Sequence, residues 1–158
     1  MIGRSRVPEA VRAVDVPERR LAWGLTDEGL PLIATPTALY AGSEPLPWWR
    51  VEKALWQPPV LTVIEVAEIE GAGVQHSWSL ADDARLAETV RSCVTSSVGW
   101  SDARKLGSTG QVRLVGRRVR GRDTLEWQAI WSSPEAAAEP ALRAQVVRWL
   151  EELRSSIG

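Results

Sequence analysis

The sequence predicts an α+β fold: an antiparallel, partly barrel-like sheet with an inserted helix and a C-terminal amphipathic helix. Three observations predict it. Short β-branched and aromatic runs punctuated by glycine and proline fill residues 20–80, the pattern of an antiparallel meander. At Ser79 the apolar spacing changes from strand-like to helical. Beyond Pro140, residues Leu142, Val146, Trp149, Leu150, Leu153 and Ile157 fall on one helical stripe.

In chain order, residues 1–18 hold two prolines and alternating charges, with a short helical turn expected at 8–13, and read as an arm outside the core. Residues 19–158 then form a single α+β domain, consistent with the ~150-residue prior for one domain. "RLAWGLT", "LPLIATPTALYAG", "LPWWRVEKALW", "VLTVIEVAEI" and "GVQHSWSL" are the expected strands, with turns at "DEG" and at Pro58 and Pro59. "SLAD" reads as a variant capping box, with Ser79 as N-cap and Asp82 three residues on. Leu86, Val90, Cys93, Val94 and Ser97 follow on one face of a helix over 80–98. The stretch 99–110 is expected as a loop leading to strands 111–119 and 124–133, with Leu125, Trp127, Ala129 and Trp131 on one face. A three-residue loop at 120–122 and a bulge at Gly116 would bring that hairpin into register and turn Arg118 outward. Pro134 suits the first turn of a helix after Ser133, and Gly158 closes the last one.

Composition limits the function classes. Apolar residues make up 44% and charged residues 25%, ordinary for a globular protein. No apolar run approaches the ~20 residues of a membrane span. The first twenty residues lack an apolar stretch, so no secretory signal is expected. Cys93 is the only cysteine, so no disulfide forms within the chain and the cytoplasm is the expected location. Arginine outnumbers lysine 17 to 2, and nine tryptophans stand beside one tyrosine and no phenylalanine. Tryptophan is therefore the expected aromatic core filler, its N–H needing a partner where buried. The net charge is −1, yet residues 101–122 carry seven basic groups against Asp102 alone. A local positive segment attracts anions even in a near-neutral chain.

The run "LIATPTALYAG…LPWWRVEKALW…LTVIEV" resembles the pleckstrin-homology-like group, especially its GRAM and bacterial branches. Thr35, Leu39, Tyr40, Pro47, Trp48, Val51 and Leu61 occupy the places of its Thr–x–x–x–Leu–Tyr phrase, proline–aromatic phrase and Ile/Val-rich strand. The whole chain also resembles a family of short actinobacterial proteins, which the later "VGRRVRG…LEW" and the closing helix share. The resemblance covers about residues 20–70 of the pleckstrin-like pattern and implies a binding scaffold rather than a named ligand.

Catalytic chemistry is thin. His76 is the sole histidine, beside Ser77, Ser79, Asp82 and Asp83, but neighbours on a strand alternate faces and a triad needs convergence in space. One His and one Cys do not make a zinc site. Glu65, Glu68 and Glu70 read as a solvated strand end, and "GAG" and "GSTG" lack the lysine and spacing of a phosphate loop. No enzyme, cofactor or metal is expected.

Two surfaces remain. In an extended strand Trp48 and Trp49 point to opposite faces, leaving one indole available to a partner. "GRRVRGRD" gathers Arg117, Arg118, Arg120 and Arg122, whose guanidinium forks suit carboxylate or phosphate; Arg104 and Lys105 could extend the patch. Hairpins also carry charge simply to stay soluble. The expectation is a non-enzymatic interaction module with an unknown protein partner. Nucleic acid or anionic membrane, bound through the 117–122 hairpin, is the alternative.

Overall fold

The computed structural model describes residues 7–66, 73–81, 84–108 and 110–157. It is an α+β structure with three open antiparallel sheets. The first is a meander, β1 (Ala22–Leu25), β2 (Pro31–Ala34), β3 (Ala38–Ala41) and β4 (Glu44–Pro47), with strands in sequence order. Its tight turns use Gly29 and Gly42 at positive φ, a conformation glycine adopts without a Cβ penalty.

Both faces of this sheet are covered. Ala22, Ala34 and Leu39 face the main core, whereas Ile33, Ala38 and Tyr40 face the N-terminal segment. That double coverage explains why the strands read as continuous apolar runs rather than alternating ones. The short helix α1 (Glu9–Arg12) inserts a fully buried Val11 against β2, with Val7, Val14 and Val16 alongside. The segment expected as an arm outside the core thus supplies a core cluster of its own.

The second sheet contains β5 (Val51–Gln57), β6 (Val60–Glu65) and β7 (Gln75–Ser79). The register slips between Val51 and Lys53, so Glu52 stands in a bulge outside the ladder. A single bridge, Thr26 to Leu80, and the bond from Asp27 N–H to Ser79 O at 3.0 Å tie β7 to the end of β1. The two sheets do not close into a barrel. The helix α2 (Ala84–Ser96) lies over both, placing Leu86, Ala87, Val90 and Val94 against Leu32, Val51, Leu61, Val63 and Leu80. Asp82, the expected capping partner, lies outside the described residues, as do Asp83, Glu68, Glu70 and Gly158.

The third sheet corrects one expectation. The stretch 99–110 is not a loop: β8 (Val98–Leu106) is a nine-residue edge strand, paired with β9 (Gly110–Arg118), which pairs in turn with β10 (Leu125–Trp131). Trp127 and Ala129 share the inner face with Val112 and Leu114, as the spacing predicts. They pack on α4 (Pro140–Ser156) through Val146, Leu150 and Leu153. Trp100 meets Trp127 edge-on with ring centroids 5.4 Å apart, a favoured aromatic geometry. The short helix α3 (Pro134–Ala138) precedes α4; Ser133 Oγ caps it, accepting from Ala136 N–H at 3.2 Å.

The expected bulge at Gly116 is also corrected. β9 and β10 run in unbroken register from Arg118↔Leu125 to Val112↔Trp131, and the irregularity lies on β8 between Val98 and Trp100. Gly116 is instead the place where Trp127 and Leu125 cross the strand. A Cβ there would stand 2.7 Å from Leu125 Cδ1 and 3.0 Å from Trp127 Cζ3. The hairpin loop spans residues 119–124, wider than the three expected, and turns at Gly121 with φ 83°. Among the described residues no helix is long and apolar enough to cross a membrane.

Candidate functional site

The two segments singled out by the sequence meet in one groove. Pro47 ends β4 and the chain turns into a single 3-10 turn, Trp48–Arg50. The two tryptophans are therefore not on opposite faces of a strand. Successive residues of a 3-10 turn diverge by about a third of a revolution, so Trp48 enters the core while Trp49 stays half-buried beside it. Trp48 is 4% exposed and donates its indole N–H to Thr35 O at 2.8 Å. Thr35 in turn organises its own turn, its hydroxyl bonding Ala38 O at 3.1 Å.

Opposite this aromatic wall stands the 119–124 loop. The groove between them has a volume of about 840 Å³, with Ser92, Cys93 and Ser96 of α2 along its floor. Pro36, Pro45 and Pro47 line the aromatic side, and Arg118, Arg120 and Arg122 the other. Burial alone raises the Cys93 thiol above its ordinary pKa, which keeps it protonated and a poor nucleophile.

The arginines divide into different roles. Arg117 leaves the expected surface entirely: it is 2% exposed, among the largest fully enclosed side chains. It donates to Gln128 Oε1 at 3.2 Å, Val94 O at 3.2 Å, Ser97 Oγ at 2.8 Å and Glu52 O at 3.3 Å. Those acceptors belong to β10, the end of α2 and the β5 bulge, so one guanidinium fastens the third sheet to the rest of the molecule. Gln128 adds a second tie by donating to Trp49 O. Desolvation lowers the Arg117 pKa, and the nearby Glu52 charge opposes that shift.

Arg118 is exposed and donates to Ser96 O at 2.8 Å and Val98 O at 3.0 Å. It thereby satisfies the Ser96 carbonyl that α2 leaves open at its C-terminus, and the Val98 carbonyl at the start of β8. Arg120 pairs with Glu18 at 2.9 Å, and Arg122 stands 3.9 Å from Glu126. Glu18 spans the groove's two walls, because its other oxygen accepts the hydroxyl of Thr37. Arg104 does not extend this patch; it pairs with Asp102 at 3.1 Å and lies over the Trp149 ring at 5.1 Å.

Glu18 and Thr37 were not singled out by sequence reasoning. The only available signal was a carboxylate just before the first strand, which has no periodic or motif character. Its role depends on a partner 102 positions away.

His76 sits on β7 with Nε2 2.7 Å from Glu65 Oε2, and Glu65 Oε1 accepts from Arg50 Nη2 at 3.0 Å. The imidazole stacks on Trp78, centroids 5.6 Å apart. Ser77 bonds Thr62 at 3.1 Å instead of joining this cluster. The described residues contain no group of three His, Cys, Asp or Glu side chains able to hold a metal ion. Comparison of the chain with family models, with curated proteins and with solved structures finds no match in any of the three.

Proposed function

We propose that the chain is a non-enzymatic cytoplasmic interaction module whose groove receives an extended segment of a partner protein carrying a carboxylate. The observation that carries this reading is the Glu18 bridge. One carboxylate of the chain itself links the Thr37 hydroxyl on one wall to Arg120 on the other. A partner's Asp or Glu side chain offers the same acceptor oxygens, and charge-assisted bonds to arginine are the strong kind. Trp49, half-buried at the groove wall, supplies the aromatic anchor that such interfaces favour.

The strand order supports a pleckstrin-like scaffold for residues 20–96. Four strands, then three, are followed by a helix lying on the core, and the sheet pair is bridged at Thr26 and Leu80. On this reading α2 is the helix that ends the scaffold, and the third sheet is an addition that builds the groove's second wall. The single cysteine supports a reducing compartment.

The hairpin arginines do not favour nucleic acid or membrane as the ligand at this site. Arg117 is enclosed, Arg120 is paired and Arg122 has a carboxylate at hand. A selection of displayed peptides on the full chain tests the proposal. Peptides enriched in Asp or Glu beside an apolar residue are expected, with binding lost when Ser92→Trp fills the groove floor. Glu18→Gln should tighten these same peptides by releasing Arg120. Selected peptides that bind native and Ser92→Trp protein equally would sink the reading.

A further inference from the structure

Three positive charges without a side-chain partner gather elsewhere, on the other face of the third sheet. There a cleft of about 420 Å³ opens between β5, the C-terminal half of α2 and the sheet surface opposite α4. Each of the three elements contributes one exposed cation: Lys53 from β5, Arg91 from α2 and Arg113 from β9. Among the described residues none of the three side chains makes a hydrogen bond or ion pair. The contrast with Arg118, Arg120 and Arg122, all engaged, is direct.

We infer that this cleft is a binding site for a phosphate-bearing small ligand. Four cations line it, counting the enclosed Arg117 at its base, against the single carboxylate of Glu52. Like charges gathered in one concavity repel one another and focus a positive potential into it. Arg117 sharpens the field, because its bonds go to carbonyl, amide and hydroxyl oxygens and to no carboxylate. Its charge is thus solvated mainly by dipoles, with the nearby Glu52 charge offsetting part of it, and low local polarity extends the reach of what remains.

Thr95 and Ser101 add hydroxyl donors, one on α2 and one on β8. Arg91 and Thr95 are four residues apart on α2, so they share a helix face. Ser101 pairs across with Val115, and Arg113 with Ile130. The donors accordingly stand around an apolar floor of Val94, Val115 and Ile130. Two guanidinium forks, an ammonium and two hydroxyls supply more donors than the two oxygens of one carboxylate accept and suit the several oxygens of a phosphoryl group. The volume falls within the range of small-ligand sites. Positions 53, 91 and 113 belong to three separate elements, so the cluster exists only in the folded chain.

The test uses the full chain and inorganic pyrophosphate, titrated calorimetrically against chloride at matched ionic strength. Saturable binding is expected, weakened roughly tenfold by each of Lys53→Gln, Arg91→Gln and Arg113→Gln, the loss of one charge-assisted contact. These side chains are exposed, so thermal melts of the free variants should coincide with the native one. Arg148→Gln/Arg154→Gln, exposed on α4 and lining neither the cleft nor the groove, should bind pyrophosphate like the native chain. Methyl resonances of Val94, Val115 and Ile130 should shift on titration of the native protein, a readout that needs no variant. A parallel arm uses phosphatidylcholine vesicles with and without phosphatidic acid. Retention only on the phosphatidic acid vesicles, lost with the same three variants, places the phosphate on a lipid; binding of free pyrophosphate places it on a soluble molecule. The inference is overturned if neither probe binds beyond chloride. It is equally overturned if the α4 variant loses as much binding as the cleft variants, which would mark a diffuse charge effect.

Discussion

Replacing Arg117 with methionine should be among the most damaging single changes in the chain, although it deletes a side chain expected at the surface. The thioether keeps most of the volume, so the effect isolates the guanidinium. Val94 O retains the Ser97 hydroxyl at 2.6 Å and the Ser97 N–H at 3.2 Å. Gln128 Oε1 and the bulged Glu52 O lose the arginine as their hydrogen-bond donor. Two buried or half-buried acceptors left unpaired cost about 1–3 kcal/mol each. Release of the desolvated guanidinium offsets part of that sum, leaving a net loss of about 3 kcal/mol. For a chain of this size, that lowers Tm by roughly 6–12 °C. Urea unfolding followed by tryptophan fluorescence reads the change as a lower midpoint at constant slope. Arg122→Met, on the exposed loop, should stay within about 0.5 kcal/mol of native. An Arg117→Met protein as stable as native would refute the reasoning, showing that burying the charge cancels its bonds.

Three other outcomes follow from the same geometry. Trp48→Phe should cost more than Trp127→Phe in the same urea assay, by about 1 kcal/mol: Trp48 donates to Thr35 O, whereas Trp127 Nε1 is buried with no partner among the described residues. Gly116→Ala forces a Cβ into Leu125 and Trp127 and should destabilise by about 1–3 kcal/mol, measured as a lower Tm with unchanged fold by circular dichroism. Cys93 should react with iodoacetamide more slowly than a free thiol at mildly alkaline pH, because burial holds it protonated. The native state binds this proton more tightly than the unfolded chain, so the contribution is present below the ordinary thiol value. It is lost as pH rises through the elevated one; a native alkylation rate equal to that in denaturant would contradict it.

The periodic elements were the legible ones. Leu86, Val90 and Val94, and Val146, Leu150 and Leu153, each face a single core, so their helical spacing survives in the sequence. β8 was hidden because it is an edge: Asp102, Arg104 and Lys105 keep it soluble and unpaired on its outer side, and such residues also spell a loop. Arg117 was hidden for a different reason. β9 is covered on both faces around Val115, Gly116 and Arg117, all buried, so no alternation marks which side is interior. An arginine in that run reads as surface until β5 and the end of α2 supply its acceptors. The groove was half legible, its two walls flagged separately; their meeting, and Glu18 between them, are properties of tertiary contact alone.

The prolines of β4 have a consequence for how anything is recognised here. β4 is the outer strand of the first sheet, and Pro45 and Pro47 both line the groove. A proline offers no N–H, so an incoming chain finds a broken hydrogen-bond template and does not continue the ladder. Recognition must then come from what a visitor's side chains present, not from its backbone. That makes sequence, rather than mere extendedness, the entry requirement. The same gap guards the molecule against its own copies, because two such edges cannot zip together into a growing fibre.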